Sequence, residues 1–381
     1  MSRRFRQPSL FESPAAATVA DLFDPVRLTQ ARVLAGRTKH ELAEDLGVSA
    51  AAVGQYEAGI TAPRPDHLKR LAEVLGYPLA FFAKGRPYVR IDASMAHFRS
   101  LRSTRVGQRA KAMEVAEQVW ELTNALERHI ELPPVNLPAI GSEKSARPIG
   151  PESAAREVRK FWGIEAGPFR HAVRTLEIHG VVVSLVSMDE DVARVDAFST
   201  SIFPRPLVIL TPDRANDVYR HRFTACHELG HLLLHRNVIP GDLEQEKEAD
   251  RFAAELLAPA AEIADELPAR FRLQALDEIS RRWGVSVKSL VRRCRELGII
   301  SDASARRSYV RLQQATDSGL LRPEPITKFQ GETPVLLLSA FELAEQHGLE
   351  LKTLAAELAW PHRRVRQLLG QPDPRPSLRL V

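Results

Sequence analysis

The chain has 381 residues, 44% of them hydrophobic and 27% charged, a composition that fits a globular protein and not a disordered, fibrous or membrane-embedded one. That length supports two or three domains, each with its own core. It carries two cysteines, Cys226 and Cys294, and no uncharged apolar run of about 18 residues, which argues against a disulfide framework and against a membrane span.

The basic N-terminus, Met-Ser-Arg-Arg-Phe-Arg, is not followed by an apolar segment, so no secretory signal is expected, and the expected compartment is the cytoplasm. Net charge is +5, and residues 266–381 hold 19 Lys and Arg against 13 Asp and Glu. An excess of that kind suits either a nucleic-acid surface or an ordinary solvated basic face.

Residues 1–23 mix Ser, Pro, Ala and Arg and are expected to form a disordered tail. From residue 24 to 86 the pattern changes to short helices with clear punctuation. Val26 to Ala35 ends at Gly36; Thr38-Lys-His-Glu41 is a capping box with Leu42, Ala43 and Leu46 inward; Gly47-Val48 makes a turn; and Ser49 caps Ala50 to Ala58. Pro65 and Asp66 open a further helix with Leu68, Leu71, Ala72 and Leu75 inward.

This stretch resembles the XRE-type, lambda-repressor-like helix-turn-helix domains, in which the helix beginning at Ser49 would enter the major groove of duplex DNA. Ser49, Gln55 and Arg37 are the candidate DNA contacts, because Ser and Arg suit phosphates and Gln can pair with adenine. Ala50, Ala51, Ala52 and Gly54 leave the reading face otherwise poor, so a pair of modules, as in a homodimer, would be needed for selectivity. The alternative is a helical bundle of the same fold that binds protein.

Residues 87–150 read as a helical connector: a basic strip at 98–105, one long helix from Gln108 to Glu131, a Pro-rich break and a loop over 141–151. Residues 151–265 begin with two helices, Ser153 to Trp162 and Phe169 to His179. Three strands follow, at 180–186, 195–200 and 206–210.

The stretch that organises the rest is Phe223-Thr-Ala-Cys-His227-Glu228-Leu-Gly-His231-Leu-Leu-Leu-His235. His227 and His231 lie one helical turn apart on one face and can bind one metal ion, with Glu228 placed as general base. Downstream, Glu246, Ala249, Asp250, Ala253, Leu256 and Leu257 share a helical stripe that ends before Pro259. Glu246 is therefore the candidate third ligand, with Asp250 behind a ligand histidine and Glu248 the rival ligand on the other side of the helix. His235 is read as a packed or supporting histidine, and Tyr219, His221 and Arg222 as candidate oxyanion donors.

At these residues the chain resembles the ImmA/IrrE zinc metallopeptidases, over RFxxxHELGHLLLH and ExxAxxFAxxLLxP, with Cys226 and Ala258 as departures. The resemblance implies a Zn2+ cofactor, a minimal zincin-like α+β domain, and endopeptidase action on a protein substrate such as a transcriptional repressor.

Residues 266–370 read as a helical C-terminal domain, with helix pairs at 276–297 and 349–369 whose rhythm suits either helix-turn-helix or plain packing units. Residues 371–381 read as a disordered tail. The expected architecture is thus multidomain and mostly α. The expected function is a DNA-binding transcriptional regulator with a zinc endopeptidase domain. The alternative is a non-proteolytic regulator whose zincin-like domain senses a ligand or metal.

Overall fold

The computed structural model describes residues 16–86, 97–98, 106–140, 149–164, 166–186, 197–211, 215–235 and 242–371. The strip at 98–105, apart from the backbone of Phe98, most of the 141–151 loop and most of both expected tails lie outside those residues.

The N-terminal helices are α1 (Ala16–Asp21), α2 (Pro25–Leu34), α3 (Lys39–Leu46), α4 (Ala50–Glu57) and α5 (Pro65–Leu75). The capping box forms as the sequence requires: Thr38 Oγ1 accepts from Glu41 N, and Glu41 returns a carboxylate to Thr38 N at 2.7 Å. Gly47 ends α3 at φ 66°, a left-handed turn that glycine adopts without a Cβ penalty. Leu28, Leu42, Val53, Leu68 and Leu71 fill the space between the helices. Helix α1 corrects the expected tail over residues 16–21, where Val19 is buried and anchors it.

Two units divide the chain. The first combines residues 1–90 with 105–131 and 337–381; the second combines 91–104 with 132–336. In the first unit the long helix α6 (Val106–Glu127) is no connector. Fourteen of its residues are buried, among them Glu117 and Glu121, which meet the buried Arg27 and Gln30 of α2, and Gln118, which donates to the Tyr77 hydroxyl and accepts from Arg364. A polar stripe of that kind reads as surface in a sequence, and it is tolerable inside only because its groups are paired.

The second unit contains β1 (His97–Phe98), α7 (Pro151–Phe161), α8 (Ala172–Ile178), β2 (Val182–Leu185), β3 (Ala197–Thr200) and β4 (Leu207–Leu210). It continues with α9 (Val218–Leu234), α10 (Leu243–Leu257), α11 (Ala260–Ile263), α12 (Leu273–Trp283), α13 (Val287–Glu296) and α14 (Asp302–Asp317). The sheet order is β1-β3-β4-β2, with β2 parallel to β4 and the other neighbours antiparallel. Ala197, Val208 and Leu210 join Leu229, Leu232, Phe252 and Leu256 in one core.

The remaining helices, α15 (Leu336–Gln346), α16 (Leu351–Leu358) and α17 (His362–Leu369), return to the first unit, where α16 and α17 pack on α6. The expected helical domain at 266–370 is therefore split. Val287, Leu290, Val291 and Cys294 belong to the sheet's core, whereas Leu354, Leu358 and Val365 face other partners. Amphipathic faces are visible in sequence, but what each face will cover is not.

Candidate metal centre

Helix α9 carries the site because its apolar residues bury it on nearly every side. Asp217 caps its start by accepting from the amides of Tyr219 and Arg220 at 3.1 and 3.2 Å. Glycine at 230 brings α10 close: a Cβ there would sit 3.1 Å from the Phe252 ring and 3.3 Å from the Ala249 backbone. The small residues of α10 and this glycine together allow the crossing that delivers Glu246 to the histidines.

His227 Nε2 and His231 Nε2 stand 3.1 Å apart, and each lies 3.4 Å from an oxygen of Glu246. Among the described residues this trio is the group with metal-ligand character. Atoms held about 2.0–2.1 Å from a tetrahedral centre lie about 3.4 Å from one another, so the spacing suits one small cation.

The protons argue the same way. Asp250 Oδ1 sits 3.0 Å from His227 Nδ1, so Nδ1 carries the proton and Nε2 presents a lone pair. On the other ligand, Glu248 Oε2 lies 2.9 Å from His235 Nε2, and His235 Nδ1 lies 3.0 Å from His231 Nδ1. Glu248 accepts from His235, a neutral His235 then accepts from His231, and His231 Nε2 is left bare as well. Two imidazole lone pairs and a carboxylate thus converge with no proton to share.

Burial works against the Glu246 carboxylate, and two bare imidazole nitrogens give it neither a proton nor a charge to pair with, so a cation between the three groups would offset that cost. The donor set therefore fits a divalent metal.

Glu228, one residue round from His227, is wholly buried, and the Ser199 hydroxyl donates to its Oε2 at 2.7 Å. Ser199 is a functional contact that sequence reasoning missed. The available signal was a hydroxyl on the same face of a buried strand as Ala197. Arg292 of α13 was also missed; it reaches Asp250 at 3.4 Å and so stands behind the His227 pair. The rival ligand Glu248 is not in the trio, and its place on His235 gives that histidine the supporting position expected of it.

The three oxyanion candidates are otherwise engaged. Arg222 pairs with Glu332 and donates to the carbonyls of Gly284 and Phe169, His221 meets the Glu332 carbonyl at 2.9 Å, and Tyr219 packs edge-on against Phe329. Cys226 faces the core, and burial pushes its thiol up to about 12, far from the range in which a thiolate reacts. The two cysteines are not joined.

In the N-terminal module the expected DNA contacts are scattered in character. Ser49 Oγ caps α4 by accepting from Ala52 N at 3.2 Å, Gln55 is exposed, and Arg37 is exposed 3.7 Å from Asp45.

Comparison with known families agrees with this division. Residues 28–82 match the helix-turn-helix model, and residues 176–295 match the IrrE N-terminal-like domain of the peptidase M78 family. The second match runs past the boundary expected at residue 265, through α13, whose apolar face completes the core. No curated protein matches the chain. The chain therefore joins an N-terminal helix-turn-helix module to a central domain of the IrrE N-terminal-like peptidase family.

Proposed function

We propose that the protein is a DNA-binding regulator that hydrolyses a peptide bond in another regulatory protein, using a zinc site built from His227, His231 and Glu246. The observation that carries this reading is the convergence of three proton-free ligand atoms beside a buried Glu228. Zinc would supply Lewis acidity toward water and the peptide carbonyl. The residues of the chain do the rest. Glu228 takes a proton from the attacking water on its carboxylate and passes it to the leaving amine. Ser199 holds that carboxylate in place through its hydroxyl. Asp250 and the His235–Glu248 pair keep both ligand rings in the tautomer that faces the cation.

The helix-turn-helix module supports a DNA partner, with Gln55 as the exposed base probe, Arg37 toward phosphate, and Ser49 contributing its cap. Two copies of the module would be required for selectivity, a repressor-like substrate follows from the family resemblance, and the two unjoined cysteines support a cytoplasmic setting. The second reading, a non-proteolytic sensor, draws on the helix-turn-helix module and the metal trio. It gives no reason to bury a carboxylate next to a ligand and fix it with a hydroxyl.

The deciding experiment incubates purified protein with candidate DNA-bound regulators, with zinc, with chelator, and as the Glu228→Gln variant. Zinc-dependent cleavage lost in that variant is expected. Equal cleavage in all three conditions would overturn the assignment.

A further inference from the structure

Strand β3 places Ser199 against Glu228, and its outer edge is the sheet edge nearest that carboxylate. That edge is taken by a piece of the same chain. His97 pairs antiparallel with Ser199, and Phe98 with Phe198. The backbone of residue 97 is therefore one residue pair, about 4.5–5.5 Å between Cα atoms, from the residue that touches the general base.

Two paired residues fall well short of the five or six of an ordinary strand, and a ladder that short adds little to a framework. It does suit an extended peptide held by main-chain pairing on a sheet edge. The sequence context agrees, because the segments on both sides, 16–86 and 106–127, belong to the other unit, yet 97–98 pairs here.

We propose that the backbone of His97–Phe98 occupies the substrate position of the site and that the protein cuts itself there. This rests on the reading of the site as a zinc peptidase. Water adds to the backbone carbonyl carbon of His97, and the C–N bond to Phe98 breaks. Glu228 carries the proton of the water to the departing nitrogen, leaving one new carboxylate and one new amine. Tethering puts this peptide at an effective concentration on the order of mM, so it precedes any free substrate at the edge. Cleavage severs the helix-turn-helix module covalently from the peptidase domain. The α2–α6 contacts, Arg27–Glu121 among them, would still hold the module to α6, so the cut is to be sought under denaturing conditions.

The test follows the intact mass of the zinc-loaded full chain over hours at two protein concentrations tenfold apart, beside Glu228→Gln and His97→Pro. Unfolded casein serves as a general substrate in parallel. The expected result is an N-terminal fragment of about a quarter of the chain, ending near residue 97. It should form at a rate independent of concentration and be absent in Glu228→Gln. Proline at 97 removes a main-chain donor and should abolish the fragment while casein digestion is kept or increased. An intact chain with Glu228-dependent casein digestion would overturn self-cleavage and leave the peptidase standing, as would a rate proportional to concentration. Failure of both reactions would remove the peptidase reading itself.

Discussion

Removing His235 should weaken metal binding without removing a ligand, and the amount can be set from the geometry. His231 Nδ1 has His235 Nδ1 at 3.0 Å, and His235 passes the contact on to Glu248 at 2.9 Å. In His235→Phe the ring of His231 loses the acceptor that fixes its tautomer, so the Nδ1-protonated form that presents Nε2 is no longer favoured. Loss of such a supporting partner costs about 10–100-fold in metal affinity, which is about 1.4–2.7 kcal/mol. Glu248→Gln should fall at the lower end, because an amide can still accept from His235 Nε2. Glu246→Ala removes one of three converging ligand atoms and should lose more than either.

Competition titration of zinc against a chromophoric chelator reads all three variants on one scale, with circular dichroism to confirm folding. If Glu248→Gln loses metal as fully as Glu246→Ala, the ligand assignment is wrong. An unchanged affinity in His235→Phe would remove the tautomer argument.

Glu228→Gln should retain metal and lose any cleavage by about 10²–10⁴-fold, read as initial rates on any accepted substrate. Burial lowers the His221 imidazole to about 4, so its neutral form stabilises the fold fully above about 6.5, and that contribution is lost as pH falls from there toward 4. Burial raises the Glu177 carboxyl to about 7, which gives the opposite slope between its ordinary value and 7. Denaturant titrations at pH 5 and 7.5 should therefore show His221→Asn losing the acid-side decline and Glu177→Gln steepening it; unchanged slopes would refute both. Of the nine cations in residues 24–86, Arg27 is buried against Glu121, Arg32 and Lys39 pair with Glu57, Arg70 pairs with Glu73 and Arg86 donates to the Phe81 and Leu358 carbonyls, which leaves Arg37, Arg64, Lys69 and Lys84 for phosphates. DNA affinity should fall with a log–log salt slope of roughly −3 per module, and Gln55→Ala should reduce selectivity more than affinity. A slope near −8 for the isolated module would mean that other cations bind.

The helix-turn-helix punctuation was readable because every stop and start in it is local: Thr38 with Glu41, Gly47, Ser49, and Pro65. The metal trio was readable for a similar reason, since His227 and His231 are one turn apart and Glu246 opens a small-residue stripe. Ser199, Arg292 and the His235–Glu248 link were not, because each reaches the site through a register or a helix crossing that no local spacing encodes. The fate of α6 was hidden by its polar stripe, whose partners lie about ninety residues earlier in α2. Residues 349–369 and 276–297 show the same rhythm, yet pack in different units. Periodicity specifies an apolar face and is silent about the surface that face will meet.

The first two turns of α9 show why residue type near a metal motif is a poor guide to role. His221, Arg222 and Tyr219 have the chemistry of oxyanion donors, but two of them are anchors. Arg222 pairs with the buried Glu332 and donates to Gly284 O at 2.9 Å, and a Cβ on Gly284 would come within 2.9 Å of the Arg222 guanidinium. His221 holds the Glu332 carbonyl, and Glu332 also accepts from the amides of Ala172 and Val173 at the start of α8. One carboxylate thus ties α9, α8 and the 331–332 turn together inside the second unit. Removing one partner of such a buried pair leaves the other charge unpaired, at a cost of about 3–5 kcal/mol. The cationic end of α9 therefore fixes the helix, and the part that α9 itself contributes to the candidate metal centre runs from His227 to His235.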